Sequence, residues 1–212
     1  MRFASVMHDG LPHAVAIDDA TAIPLTDIAE LGADTPSTVL RDPPLNRSAA
    51  FALSDATLRP LVPRPGKVIC VGLNYKAHIE ETHREDSDYP VFFTKFASSL
   101  TGAYDPILCP PESRQVDYEG ELAVVIGAPA RRVDPARALE VVAGYTVAND
   151  VTMRDFQYRT HQWLQGKAWE ASTPLGPALV TADEVPDPGA LTLRTLVNGQ
   201  LVQEATTDLM IF

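Results

Sequence analysis

The chain carries only two cysteines, Cys70 and Cys109, and they fall in no metal-binding spacing. That excludes a disulfide-built scaffold and a thiolate metal centre, and both are expected to be reduced core thiols. No apolar run approaches the ~20 residues that span a bilayer. The opening stretch, Met1 to Gly10, lacks the continuous apolar segment of a secretory leader, so the expected location is cytoplasmic. Positive charge is also scarce: 17 Lys and Arg face 28 Asp and Glu, for a formal net charge of −11. No basic stripe is present to displace the counterions of a nucleic acid, so neither nucleic acid nor membrane is expected as a partner. An anionic substrate would need local positive groups to draw it in. Repeats and low-complexity tracts are absent.

What is present is ordinary globular material, with 45% hydrophobic and 21% charged residues in 212. One domain with a small appended segment is the prior for that length. Residues 1–60 read as a small N-terminal region that differs from the rest. Phe3 to Met7 and His13 to Ile17 predict a hairpin around Asp9-Gly10, and Asp27 to Leu31 predicts a short helix. Leu40 to Leu58 reads as linker or loosely helical. The proline-dense Pro60-Leu-Val-Pro-Arg-Pro-Gly66 marks a junction, with a second region over 61–212. There, Lys67 to Leu73 and Val91 to Phe96 predict strands, and Asn74 predicts the cap of a helix over Tyr75 to Glu81. Asp134-Pro135 predicts a helix start and Gly144 its end. Asn198-Gly199 predicts a hairpin between Leu191–Val197 and Gln200–Glu204. Short strands dominate, so the expected class is α+β, rich in β.

The chemistry gathers on acids. Glu119 and Glu121 stand one residue apart before the apolar run Leu122 to Ile126, and i, i+2 side chains on a strand share a face. Gly120 occupies the other face and admits a close neighbour there. Two acids on one face repel unless a cation or a proton lies between them. A third, Asp150, closes the stretch Val141 to Asn149. Three carboxylates without histidine or cysteine suit a hard ion, Mg²⁺ or Mn²⁺. An exposed acidic face for the pair, and a turn cap for Asp150, are the plainer alternatives. His78 and Glu81, three apart on the expected helix, share a face, and a carboxylate raises the basicity of an imidazole. The pair makes either a general base toward water or a solvated helix face. Lys167, between Gly166 and apolar residues, could meet a substrate oxyanion or be a loop charge.

Five segments in order resemble the fumarylacetoacetate hydrolase family, in its small bacterial-type, acylpyruvase or diene-dioate isomerase-like members. They are Val71-Gly-Leu-Asn-Tyr-Lys-Ala-His-Ile-Glu-Glu81, Val91 to Gly102, Val116-Asp-Tyr-Glu-Gly-Glu-Leu122, Gly144 to Gln157, and Gln165-Gly-Lys167 through Thr173-Pro-Leu-Gly-Pro177. The resemblance runs over roughly residues 67–212 and implies a mixed β-sandwich roll and, commonly, a homodimer. It implies a Mg²⁺ or Mn²⁺ held by Glu119, Glu121 and Asp150. His78, oriented by Glu81, would activate water or shuttle a proton, and Lys167 would contact the substrate or its oxyanion. Arg154 and Gln157 would lie near metal or substrate, while Lys95 and Ser98 fall in a family segment with no role assigned. The implied substrate is a small 1,3-dicarbonyl or 2-oxo acid, cleaved at a C–C bond by a metal-dependent hydrolase in carbon catabolism. The alternatives are an isomerase or decarboxylase acting on a 2-hydroxy-diene-dioate in aromatic-acid degradation, and an inactive binding remnant. Two departures from the family are expected: Ala168-Trp169-Glu170 replaces its Ser-Phe-Asp, and the catalytic region over 61–212 lacks the C-terminal β segment with a Gly-Thr-Pro turn that family members carry past the position of Phe212. On this reading Glu119→Ala and Asp150→Ala should abolish activity and metal binding with the fold largely intact.

Overall fold

The computed structural model describes residues 1–75 and 88–212. The first hairpin forms as the sequence predicts: β1 (Arg2–His8) and β2 (Leu11–Asp18) pair with Phe3 opposite Ala16. Asp9 and Gly10 hold the two positive φ angles, 49° and 75°, that a two-residue turn of this hand requires. β3 (Thr21–Pro24), β4 (Phe51–Ala52) and β5 (Thr57–Leu58) follow. Next come β6 (Val68–Gly72), β7 (Val91–Lys95), β8 (Leu100–Thr101), β9 (Val116–Asp117) and β10 (Gly120–Ile126). The last strands are β11 (Val142–Asn149), β12 (Thr152–Met153), β13 (Thr173–Thr181), β14 (Thr192–Val197) and β15 (Gln200–Thr206).

The main sheet runs β10-β11-β13-β1-β2-β3-β4, with β5 on β1 and β8 on β13. The β8–β13 pairing is parallel and the others antiparallel, so the architecture is a strand-rich mixed sheet. Pairs β6–β7, β9–β12 and β14–β15 stand beside it. β1 is buried on both faces, which is why Phe3-Ala-Ser-Val6 is nearly continuous in apolar or small residues rather than alternating. Phe3 packs on one side with Ala16, Leu25, Leu31, Leu61 and Leu179, and Ala4 and Val6 pack on the other with Val15 and Ala22. Removing a side chain such as Phe3 from water stabilises by roughly 1.5–3 kcal/mol.

Three expectations change. Asp27 to Leu31 is not a helix: Asp27 is left-handed at φ 59°, and Leu31 is drawn into the core instead. A five-residue helix, Ser37–Arg41, forms a few residues later. Asp134 does cap Pro135–Val141, its carboxylate accepting from Ala136 N at 2.9 Å, but that segment is a 3₁₀ helix. It ends at Val141, so Gly144 is no helix terminator. Gly144 lies within β11, where a Cβ would come 2.1 Å from the Val180 carbonyl oxygen of β13. Backbone cannot rotate away as a side chain can. Gly144→Ala is therefore expected to destabilise by about 1–3 kcal/mol or more, read from the urea midpoint; an unchanged midpoint would show that β11 and β13 can part freely. Third, Cys109 is exposed in the loop between β8 and β9, not a core thiol, while Cys70 is half-buried; both are free.

The Asn198-Gly199 hairpin forms as predicted, with φ of 52° and 79°. No helix among the described residues is long and apolar enough to cross a membrane. Tyr75 is extended, bridging Met210. The rest of the helix expected to Glu81, with both His78 and Glu81, lies outside the described residues.

Candidate active site

The β10–β11 register brings two acids together. Gly120 faces Asn149, so the next residue outward on each chain, Glu119 and Asp150, are neighbours. Asp150 N donates to Glu119 O at 2.8 Å, and Glu119 N donates to Asn149 Oδ1 at 3.0 Å. Glu119 thus sits just before β10, with Glu121 on it. Gly120 admits the expected close neighbour: a Cβ there would lie 2.3 Å from Thr195 Oγ1 of β14. Gln203 of β15 holds both backbone groups of Gly120, accepting from N at 2.9 Å and donating to O at 2.8 Å.

Cations from three separate segments meet these acids. Lys167 ends the helical turn Leu164–Lys167, and its Nζ donates to Glu119 Oε2 at 2.7 Å and Asp150 Oδ2 at 2.8 Å. Lys95 ends β7 and donates to Asp150 Oδ1 at 2.6 Å and to Val151 O at 3.2 Å. Both lysines are buried, at 2% and 3% exposure, so each Asp150 oxygen neutralises one buried ammonium. Arg154 opens the turn Arg154–Gln157; its Nη1 lies 2.7 Å from Glu119 Oε1, and its Nε donates to Asp117 Oδ2 at 2.9 Å. Gln157, buried, accepts from Arg154 Nη1 at 2.9 Å. Thr152 Oγ1 donates to Glu119 Oε1 at 3.1 Å. The Phe93 ring lies under Lys167, with Nζ 4.9 Å from the centroid, a cation–π contact.

The structure therefore brings Glu119, Asp150, Lys167, Arg154 and Gln157 into one network, with Glu121 beside it. It adds groups to which sequence reasoning assigned no part: Lys95, Asp117, Thr152 and Phe93. For Lys95 a signal existed. Val91, Phe93 and Lys95 alternate on one strand face, so a lysine was due on the same side as two apolar residues.

Glu121 is the acid left over. Among the described residues it makes no hydrogen bond, and its carboxyl is pushed up to about 8 by burial and by the charges of Glu119 and Asp150, against the pull of Lys167. Burial holds the Lys95 ammonium below its ordinary range although Asp150 supports it. Burial also works against the Arg154 charge, but Glu119 and Asp117 outweigh it. The Cys70 thiol, pushed up to about 12 by burial and then by Asp150, is an inert neighbour.

Among the described residues no three acidic, histidine or cysteine side chains already close into a ligand set. The donor chemistry nevertheless fits a small hard cation. Glu119 and Asp150 both raise the Glu121 carboxyl, all donors are oxygen, and among the described residues Glu121 makes no ion pair.

The fold and these segments agree with known proteins. Residues 67–212 match the fumarylacetoacetate (FAA) hydrolase C-terminal family, and the chain belongs to that family. A relative from Rattus norvegicus, "Oxaloacetate tautomerase Fahd2a, mitochondrial", is 48% identical over 160 residues, 75% of this chain and 51% of its own length. The chain thus spans about half the length of that relative. Among solved structures, a fumarylacetoacetate hydrolase from Exiguobacterium antarcticum superposes with a TM-score of 0.84 at 34% identity, over 99% of this chain and 76% of its own. A 2-hydroxyhepta-2,4-diene-1,7-dioate isomerase from Mycobacterium marinum gives 0.81 at 32%, over 100% and 77%. A maleylpyruvate hydrolase from Sphingobium sp. SYK-6, in complex with manganese(II) ion and pyruvate, gives 0.76 at 28%, over 100% and 78%.

Proposed function

We propose that this chain is a divalent-metal-dependent enzyme that forms an enolate from a small 2-oxo or 1,3-dicarbonyl acid and cleaves a C–C bond hydrolytically. The observation that carries the reading is the convergence of Glu119, Glu121 and Asp150 beside the buried ammonium of Lys167. Glu119, Glu121 and Asp150 would hold Mg²⁺ or Mn²⁺, which when bound supplies Lewis-acid polarisation of the substrate carbonyl. Lys167 offers its ammonium to the substrate carboxylate or to the oxygen on which charge develops, in a site too dry for water to screen it. Arg154 and Lys95 hold Glu119 and Asp150 in place, and Gln157 steadies Arg154. His78, oriented by Glu81, would take a proton from water, whose oxygen attacks the second carbonyl. The C–C bond then breaks, its electron pair entering the enolate, which is reprotonated at carbon to give two acids.

A second reading ends after enolate formation: reprotonation at another atom isomerises the substrate and conserves mass. The 48% identity to a protein named as an oxaloacetate tautomerase favours it. A homodimer in the cytoplasm belongs to either reading, and sedimentation velocity tests the dimer.

The deciding experiment follows oxaloacetate and acetylpyruvate with the purified chain in Mg²⁺, Mn²⁺ or EDTA. Acetate and pyruvate from acetylpyruvate, lost in EDTA, are the expected result. Metal-dependent keto–enol exchange of oxaloacetate without mass loss would select the second reading, and CO₂ release would make the chain a decarboxylase. No metal-dependent turnover, and no change in melting temperature with either ion, would leave the inactive binding remnant.

A further inference from the structure

Gly120, between two of the proposed metal ligands, is held by a side chain rather than by a strand. β10 is the edge strand of the main sheet. Glu119 turns its backbone toward β11: its O accepts from Asp150 N, and its N donates to Asn149 Oδ1. Backbone groups of successive strand residues point to opposite sides, so those of Gly120 turn to the open edge. There the Gln203 carboxamide takes both, Oε1 accepting from N at 2.9 Å and Nε2 donating to O at 2.8 Å. One amide thus makes the two bonds that a neighbouring strand would have made.

The clamp is itself held in place. Thr195 and Gln203 are cross-strand partners in the β14–β15 hairpin, and Thr195 Oγ1 donates to Gln203 Oε1 at 2.7 Å. With Oε1 receiving two donors and Nε2 facing a carbonyl, only one orientation of the carboxamide satisfies all of its partners. The hairpin register breaks just after Thr195, an irregularity of the kind that re-aims a side chain. The fit is close: a Cβ on Gly120 would lie 3.2 Å from Gln203 Oε1 as well as against Thr195. Glycine has the most backbone freedom of any residue, so without the clamp the link from Glu119 to Glu121 would be the loosest in β10. Glu119 is pinned in addition by Lys167, Arg154 and Thr152. Glu121 makes no hydrogen bond or ion pair among the described residues, so its direction is set by the backbone that carries it.

We propose that Gln203 is a positioning residue for the metal site, fixing the Glu119–Glu121 backbone so that both carboxylates meet one divalent cation. The inference rests on the ligand set proposed above and adds to it a residue 83 positions from Gly120. Gln203 ligates nothing itself. The hairpin acts on the ion through the geometry of the strand that it grips.

Gln203→Met keeps the length of the side chain and removes both amide bonds. Mn²⁺ binding to the full chain is measured by calorimetry, below the melting range of either protein. The variant is expected to bind Mn²⁺ about 10–100-fold more weakly, the usual effect of losing a group that orients a metal ligand. The rise in melting temperature on adding Mn²⁺ should shrink accordingly. Gly199→Ala is the control. It strains the hairpin turn, where φ is 79° and no atom lies within 4 Å, and it does not touch Gln203. It should loosen the hairpin and leave the Mn²⁺ affinity unchanged. Should Gln203→Met fail to fold, Thr195→Ala removes only the hydroxyl that orients the carboxamide and makes the same test, with a smaller expected loss. Equal Mn²⁺ affinity in wild type and whichever clamp variant folds would overturn the inference. So would an equal loss in Gly199→Ala, because Gln203 would then do no more than hold the hairpin in place. If the wild-type chain itself bound no Mn²⁺, the ligand set would fall, and this inference with it.

Discussion

Asp150→Ala is expected to lower the melting temperature by about 10 °C and to abolish metal-dependent turnover. Sequence reasoning anticipated the second effect but expected the fold to survive largely intact. The structure reverses that expectation, because Asp150 is the counter-ion of two buried lysines at once. Without it Lys167 keeps Glu119, but among the described residues Lys95 keeps only the Val151 carbonyl. Removing one partner of a buried pair typically costs about 3–5 kcal/mol, since the stranded charge has lost its water as well. Circular-dichroism melts of Asp150→Ala and Asp150→Asn make the test. Asparagine retains an acceptor, so it should fall between alanine and wild type if hydrogen bonding shares the effect with charge. A melting temperature within about 2 °C of wild type for both would mean that Lys95 and Lys167 are not held as ammonium ions by Asp150.

Lys167→Met is expected to lower kcat/KM by about 10²–10³-fold, the usual loss when a charge aimed at a developing oxyanion is removed. Its effect on stability should be the smaller of the two. Glu119 retains Arg154 and Thr152, and Asp150 retains Lys95, so neither of the two carboxylates that Lys167 bridges is left without a partner. The acid cluster becomes more negative by one charge. Mn²⁺ should therefore raise the melting temperature of Lys167→Met more than that of wild type. Paired assays and melts, with and without Mn²⁺, separate the two roles. Activity within tenfold of wild type would remove Lys167 from the chemistry. A smaller metal-induced shift in the variant would show that the lysine helps to assemble the ion site and does not compete for its ligands. Arginine is a poor rescue at this position, because its planar fork cannot occupy the point between Glu119 Oε2 and Asp150 Oδ2 that an ammonium fills.

Where sequence reasoning went astray, tertiary packing overrode a local signal. Asp27 to Leu31 has the composition of a helix start, but the sheet takes Leu31 into its core and turns the chain at a left-handed Asp27. Gly144 reads as a helix end in isolation, yet what demands glycine there is the Val180 carbonyl on a strand more than 30 residues away. Arg154 was expected near metal or substrate; it does reach Glu119, but Asp117 and Gln157 engage it as well.

The sequence by itself determined what local physics controls. The Asp9-Gly10 and Asn198-Gly199 turns are set by residues that tolerate positive φ, and their hairpins form as expected. Gly120 between two glutamates already foretold a close neighbour on one face, and three carboxylates without sulfur or imidazole pointed to a hard ion as the expectation. Which cation meets which acid was decided only by the tertiary structure. Lys95 and Asp150 are 55 residues apart, and Lys167 and Glu119 are 48 apart. No periodicity reaches over such distances. They meet because the β10–β11 register places Glu119 against Asp150, and because β7 and the turn Leu164–Lys167 end where that register puts the charge.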